Sequence, residues 1–173
     1  MNIFWRLMLG HLLCDFTLQT NFINRWKRTS MWGLLVHCGM HPISYLVIAW
    51  PFLGDYWIVN SFFRLNGWTC VAIIFVTHFF EDWWRVFTIA KYGMPDNTLF
   101  FAWDQVIHYA VIFSVAPLAV TTTATAGFFP EKWSVLGCLF VLVTHACTVL
   151  IYFLEKDLHG ADYPGDDEKH LAM

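Results

Sequence analysis

The sequence has few charged residues. Asp, Glu, Lys and Arg make up only 13% of its 173 residues, whereas a soluble domain carries roughly 25%. Hydrophobic residues make up 58% of the chain, and many of them are gathered in long runs. This composition argues against an ordinary soluble domain and predicts an integral membrane protein. The net charge of −3 also argues against nucleic-acid binding, because that function favours a basic surface.

Several catalytic and redox motifs are absent as well. The five cysteines form no CxxC pair and lie in apolar runs, so we interpret them as small packing residues. The sequence contains no serine-nucleophile motif and no glycine-rich phosphate loop. The first apolar run has no small-residue cleavage site, and we expect it to remain in the protein.

Five apolar runs are long enough to cross a membrane as helices. They lie at residues 2–23, 31–53, 67–90, 98–120 and 133–154, separated by loops that include residues 54–66. We therefore predict an all-α fold: one polytopic helical-bundle domain of about five transmembrane helices over residues 1–154. A polar, mostly acidic tail follows at 155–173.

The basic residues of the loops predict an orientation. Lys and Arg are most frequent after the first and third runs, and the positive-inside rule places those loops in the cytoplasm. With five crossings, the C-terminus is then cytoplasmic and the N-terminus outside. We predict a multi-pass protein of a bacterial inner membrane, with the lipid bilayer as its first partner.

Histidine and aspartate recur in these runs at helical spacing. Three pairs are separated by four residues, which places both members on one helix face. Counted at about 1.5 Å per residue from the predicted cytoplasmic ends, the pairs fall at similar depths in the cytoplasmic half. We therefore expect one buried cluster. The pairs are His11 and Asp15, His78 and Asp82, and Asp104 and His108.

A divalent transition metal ion is the favoured explanation for this cluster. Three buried carboxylates each need a cation or a proton, and the predicted membrane segments supply only Arg6 and Arg85. Imidazole and carboxylate ligands suit Zn, Fe or Mn better than Cu(I). A metal-free network of protonated groups, or packing alone, is the alternative. The predicted ligands are His11, Asp15, His37, His78, Asp82 and His108.

Other polar residues receive different roles. We interpret His145 and His41 as packing residues, and Gln19 and Gln105 as hydrogen-bond partners between helices.

Two carboxylates are candidate general bases. Asp104 or Glu81 would serve if it stays outside the metal's ligand set. Glu81 also fits a structural ion pair with Arg85, four residues on.

Four stretches resemble an uncharacterised family of bacterial and phage membrane proteins, known as a domain of unknown function. They are residues 10–20 (GHLLCDFTLQT), 34–37 (LLVH), 77–82 (THFFED) and 104–108 (DQVIH), in the family's order. The resemblance implies a small helical membrane protein and supplies no established activity.

The residues support three functions. The first is a membrane-embedded metal-dependent hydrolase acting on a lipid or other amphipathic substrate, with a metal-activated water as nucleophile. The second is a proton or metal-ion conduit, which would need to form a homo-oligomer. The third is an accessory subunit of a larger membrane complex, in which the cluster is a structural staple.

Overall fold

The computed structural model describes residues 2–117 and 130–159, and the chain is mostly helical there. A π-helical turn at Leu13–Thr17 continues the first helix, a 3₁₀ turn at Trp50–Phe52 extends the third, and a second π-helical turn at Leu142–Ala146 joins the last two. The helical prediction is confirmed. The helices are α1 (Asn2–Leu12), α2 (Asn21–Thr29), α3 (Met31–Ala49), α4 (Gly67–Tyr92), α5 (Thr98–Val115), α6 (Glu131–Val141) and α7 (Cys147–His159).

Polar capping residues define where four of these helices begin. Thr20, Ser30, Asn66 and Asn97 each accept a hydrogen bond from a backbone N–H two or three residues further on, at the starts of α2, α3, α4 and α5. Helix α4 ends at Gly93, which adopts a left-handed conformation with φ of 62°. The predicted basic loop after the first apolar run is helical instead, because α2 extends over Asn21–Thr29.

The prediction of an all-α fold is wrong for one connection. Strands β1 (Tyr56–Val59) and β2 (Arg64–Asn66) form an antiparallel ribbon within the predicted loop 54–66. Aromatic and β-branched residues favour the extended backbone of β1. The Asn60 side chain closes the turn by accepting hydrogen bonds from the backbone N–H groups of Phe62 and Phe63.

The prediction of five membrane crossings is also wrong. Among the described residues, three helices are long and apolar enough to cross a membrane: Met31–Phe52, Thr98–Val115 and Glu131–His159. The first predicted segment is helical only as far as Thr17, which is short of the roughly 20 residues that a span needs. The third, α4, is long enough, but its second half carries several charged residues.

Helix α1 occupies the centre of the bundle and packs against α3, α5 and α6. Leu7 and Leu12 are fully buried. Leu7 belongs to an apolar cluster shared with α3, α4 and α5, whereas Leu12 packs with Cys138 and Val141 of α6. Other helices therefore surround α1, which explains how a short helix can be apolar on most of its surface.

Two parts of the predicted layout can be located only in part. Helix α7 continues to His159, beyond the predicted boundary at residue 154. Outside the described residues lie 160–173 of the tail, 118–120 at the end of the fourth predicted segment, and 121–129 of the link to the fifth.

Candidate metal centre

Five elements bring their histidines and aspartates to one buried centre. Helix α1 contributes His11, the π-helical turn after it contributes Asp15, and α3, α4 and α5 contribute the rest. Helix α1 approaches α3 closely at Gly10, where an added Cβ would lie only 2.7 Å from the Ser44 hydroxyl oxygen. This close approach brings the next residue, His11, within ring contact of His41 on α3, with ring centroids 5.4 Å apart.

The Asp15 carboxylate is surrounded by imidazoles. Its Oδ1 lies 3.1 Å from Nε2 of His41, 3.4 Å from Nε2 of His37 and 4.0 Å from Nε2 of His78. Its Oδ2 lies 3.4 Å from Nε2 of His11. In the described parts of the chain, no lysine or arginine nitrogen lies within ion-pair distance of this carboxylate.

These distances fit ligands that share one ion. Two ligands of a tetrahedral zinc ion lie about 3.3 Å apart, given metal–ligand distances near 2.0–2.1 Å. One ligand atom from each of Asp15, His37, His41 and His78 can be chosen so that all four lie within 4.8 Å of one another. His78 Nε2 is buried and has no hydrogen-bond partner. Such an unsatisfied group is costly unless it binds something. We call these four residues the Asp15 group.

Asp82 and Asp104, the other two carboxylates of the centre, each have a cationic partner. Asp82 Oδ2 lies 3.2 Å from the Lys27 ammonium and 3.2 Å from Nε2 of His37. Asp104 Oδ2 accepts a 2.9 Å hydrogen bond from the Arg85 guanidinium. The positive charge that these two carboxylates require is therefore present in the chain itself.

His108 lies close to the carboxylates of both Asp82 and Asp104. Its Nε2 lies 3.5 Å from Asp82 Oδ1 and 3.6 Å from Asp104 Oδ1. Asp82, Asp104 and His108 also satisfy the spacing for a metal ion, and we call them the Asp82 group. Stacking of the His108 and His78 rings, with centroids 4.1 Å apart, connects this group to the Asp15 group.

Arg85 is held in place by Asp96, in the loop after α4. Asp96 binds Arg85 and Arg28 through separate oxygens, each at 2.8 Å. Burial alone would raise the pKa of the Asp96 carboxyl, but the two guanidiniums hold that pKa below its ordinary value. This clamp attaches α2 to α4 beside the centre.

The structure brings most of the sequence-predicted residues together. The six predicted ligands converge here, although His11 meets the opposite oxygen of Asp15 from the other imidazoles. Asp104 lies in the centre. Glu81 belongs to none of the metal-capable groups of the described residues, and Arg85 pairs with Asp96 and Asp104 instead of with Glu81. Glu81 as a general base stays a prediction.

Three residues of the centre were missed from the sequence. His41, interpreted as a packing residue, is the closest imidazole to Asp15. Its spacing of four residues from His37 was the signal that could have identified it. Cys38 is buried and forms a further metal-capable set with His78 and Asp82. Lys27 appeared only as one charge of a basic loop.

A cavity of about 850 Å³ opens beside the centre. Asp15, Asp82 and Asp104 line it, together with other residues of α2, α4, α5 and α7. Gln19, interpreted from the sequence as a hydrogen-bond partner between helices, also lines it. Asp15 is thus the member of the Asp15 group that a molecule in the cavity can reach, because the buried imidazoles of His37, His41 and His78 do not line it.

Residues 3–136 match the model of the family described as "Protein of unknown function (DUF3307)", and the chain belongs to this family. The resemblance to an uncharacterised family is thereby confirmed. No match was found among curated proteins or among solved structures. The chemistry therefore has to be argued from the centre itself.

Proposed function

We propose that the protein is a membrane-embedded, metal-dependent hydrolase that acts on an amphipathic substrate in the cytoplasmic half of a bacterial inner membrane. The observation that carries the proposal is the Asp15 carboxylate, placed among four imidazole Nε2 atoms at 3.1–4.0 Å and without a lysine or arginine partner in the described residues. A divalent ion there would balance the carboxylate and provide ligand partners for the imidazoles.

The Asp15 group favours one ion of Zn, Fe or Mn. Three imidazoles and one carboxylate form a mixed nitrogen and oxygen set, which these metals accept. When bound, such an ion would lower the pKa of a water molecule and supply a nucleophile near neutral pH.

Asp104 is the better of the two candidate general bases. It lines the cavity, and its Oδ1 is buried without a hydrogen-bond partner. Glu81 does not line the cavity. A carboxylate that faces the cavity can take a proton from the attacking water.

The test begins with elemental analysis of untagged protein purified in detergent. We expect about one equivalent of a transition metal in the wild type and less than about a tenth of that in Asp15→Asn. Asp104→Asn should keep the metal and lose hydrolysis in a screen of lipid ester and phosphoester substrates. A wild type that binds no metal after incubation with zinc, iron or manganese would refute the proposal.

The second candidate, an accessory subunit with a structural metal, is favoured by the exposed aromatic side chains of the apolar helices, such as Trp32 and Trp103. Isolation of the chain in a stable complex, with metal but without hydrolysis, would support it. The cavity beside the centre favours the hydrolase instead, because a metal ion with a purely structural role needs no access from a cavity.

A further inference from the structure

The walls of the cavity differ in chemical character. Helix α2 contributes three basic residues, Arg25, Lys27 and Arg28, and α4 contributes Arg85. Four cationic residues thus line the same cavity as the three aspartates of the centre. A divalent ion at the Asp15 group would leave the cavity with excess positive charge, which favours an anionic ligand.

Arg25 is the cation that remains available. Lys27 binds Asp82, and both Arg28 and Arg85 bind Asp96. Arg25 is exposed, and no carboxylate pairs with it among the described residues. A guanidinium can bind a phosphate group through two parallel hydrogen bonds.

A buried acceptor also lines the cavity. Gln105 is only 8% exposed, and its Oε1 has no hydrogen-bond partner, while its Nε2 donates to Asp15 and Asp104. The unsatisfied Oε1 can accept a hydrogen bond from a hydroxyl group of a bound ligand.

Part of the cavity lining is apolar and belongs to helices that are long and apolar enough to cross a membrane. Phe101 lies on α5, and Val149 and Phe153 lie on α7. The stacked rings of Phe101 and Phe153, with centroids 4.9 Å apart, form a continuous apolar surface. An alkyl chain placed against these residues would run along two helices that are apolar enough to cross a membrane.

We infer that the cavity binds an amphiphile with a phosphate headgroup, and this inference rests on the proposed function because it names that enzyme's substrate class. The headgroup lies between Arg25 and the metal centre. The alkyl or prenyl chain lies against Phe101, Val149 and Phe153.

Calorimetric titration of the full chain in dodecyl maltoside tests the inference. Octyl phosphate is the ligand, and inorganic phosphate and octyl glucoside separate the contributions of the headgroup and the chain. We expect octyl phosphate to bind at least about tenfold more tightly than either of the other two, because only octyl phosphate reaches both walls. If inorganic phosphate bound equally well, the alkyl chain would contribute nothing and the assignment of an amphiphilic ligand would be wrong. If octyl glucoside bound equally well, the assignment of an anionic headgroup would be wrong.

Two arginine variants locate the headgroup. Arg25→Gln should weaken octyl phosphate binding about tenfold, because it removes a charge-assisted contact. Arg64→Gln is the matched control, since Arg64 is an exposed arginine of strand β2 that does not line the cavity. Unchanged binding in Arg25→Gln, with its thermal midpoint intact, would overturn the assignment.

Asp15→Asn separates this inference from the proposed function. It should lose the metal but keep binding of octyl phosphate that depends on Arg25. A metal-loaded wild type that binds no octyl phosphate overturns the inference and leaves the hydrolase standing. Binding by a wild type that takes up no metal supports the phosphate site and refutes the hydrolase.

Discussion

The Asp15 group and the Asp82 group contain the same residue types but balance their charge differently. Asp15 is contacted by imidazoles from α1, α3 and α4, and it has no lysine or arginine partner in the described residues. Asp82 is contacted by the ammonium of Lys27, and its neighbour Asp104 by the guanidinium of Arg85.

The difference shows that the His–Asp spacing alone does not define a metal ligand. Each group takes an aspartate from a pair spaced four residues apart, Asp15 from the pair with His11 and Asp104 from the pair with His108. What separates them is the cation delivered by a different part of the chain. An arginine or lysine beside a carboxylate competes with a metal ion for it, so the Asp15 group is the stronger metal candidate.

The largest expected effect is on metal affinity, when one histidine of each group is replaced by alanine. His41→Ala should reduce metal affinity by more than the roughly 10–100-fold that loss of an outer partner costs, because it removes a proposed ligand. His108→Ala should reduce metal affinity less than about tenfold. Competition with a chromophoric zinc chelator measures both constants. An equal loss in the two variants would mean that the groups share their ions.

The next largest effect is on stability, when the cation beside Asp82 is removed. Lys27→Met leaves a buried carboxylate without its ammonium, and we expect a loss of about 3–5 kcal/mol in unfolding free energy. Added zinc should recover much of it, because the ion can take the place of the missing charge. Thermal unfolding with and without zinc measures this effect.

The matched control for this experiment is Lys132→Met. Lys132 is an exposed lysine at the start of α6 and pairs with no carboxylate among the described residues. It should unfold like the wild type, with or without zinc. A Lys27→Met protein that unfolds like Lys132→Met would remove the distinction between the groups.

A smaller effect concerns the Asp96 clamp, which positions Arg85. Asp96→Asn should cost on the order of 2 kcal/mol at neutral pH, because it weakens two charge-assisted hydrogen bonds. The folded pKa of Asp96 lies below its unfolded pKa of about 3.9, so its stabilisation is present above that pH and is lost as the pH falls through the folded pKa.

Chemical unfolding of wild type and Asp96→Asn at pH 7 and near pH 3 measures this dependence. The difference in unfolding free energy should shrink at the lower pH. A difference that stays constant would show that the charge of Asp96 contributes little to the clamp.

The helices and the cluster could largely be predicted because they depend on short-range regularities. A spacing of four residues places His78 with Asp82, and Asp104 with His108, on one helix face wherever the helix lies. Apolar runs likewise identified most of the helices. They overestimated the number of membrane-spanning helices, because a helix buried among other helices, as α1 is, has the same apolar pattern as a helix that crosses a bilayer.

The charge balance could not be predicted because it depends on contacts across the chain. Lys27 reaches Asp82, 55 residues away, and Arg85 reaches Asp104, 19 residues away. The spacing instead suggested that Arg85 pairs with Glu81. Only the packing of α2 and α5 against α4 reveals which cation meets which carboxylate.

The smallest expected effect concerns His145, a histidine of the continuous α6–α7 helix. It lies in the second π-helical turn, is partly exposed, and its Nδ1 is 2.8 Å from the hydroxyl of Thr144. It lines the cavity, yet it belongs to none of the metal-capable groups of the described residues. His145→Ala should therefore keep the wild-type metal content, measured beside His41→Ala by elemental analysis. Loss of metal from both variants would extend the ligand set to the cavity wall, and the absence of a cation beside Asp15 would then no longer identify the ligands.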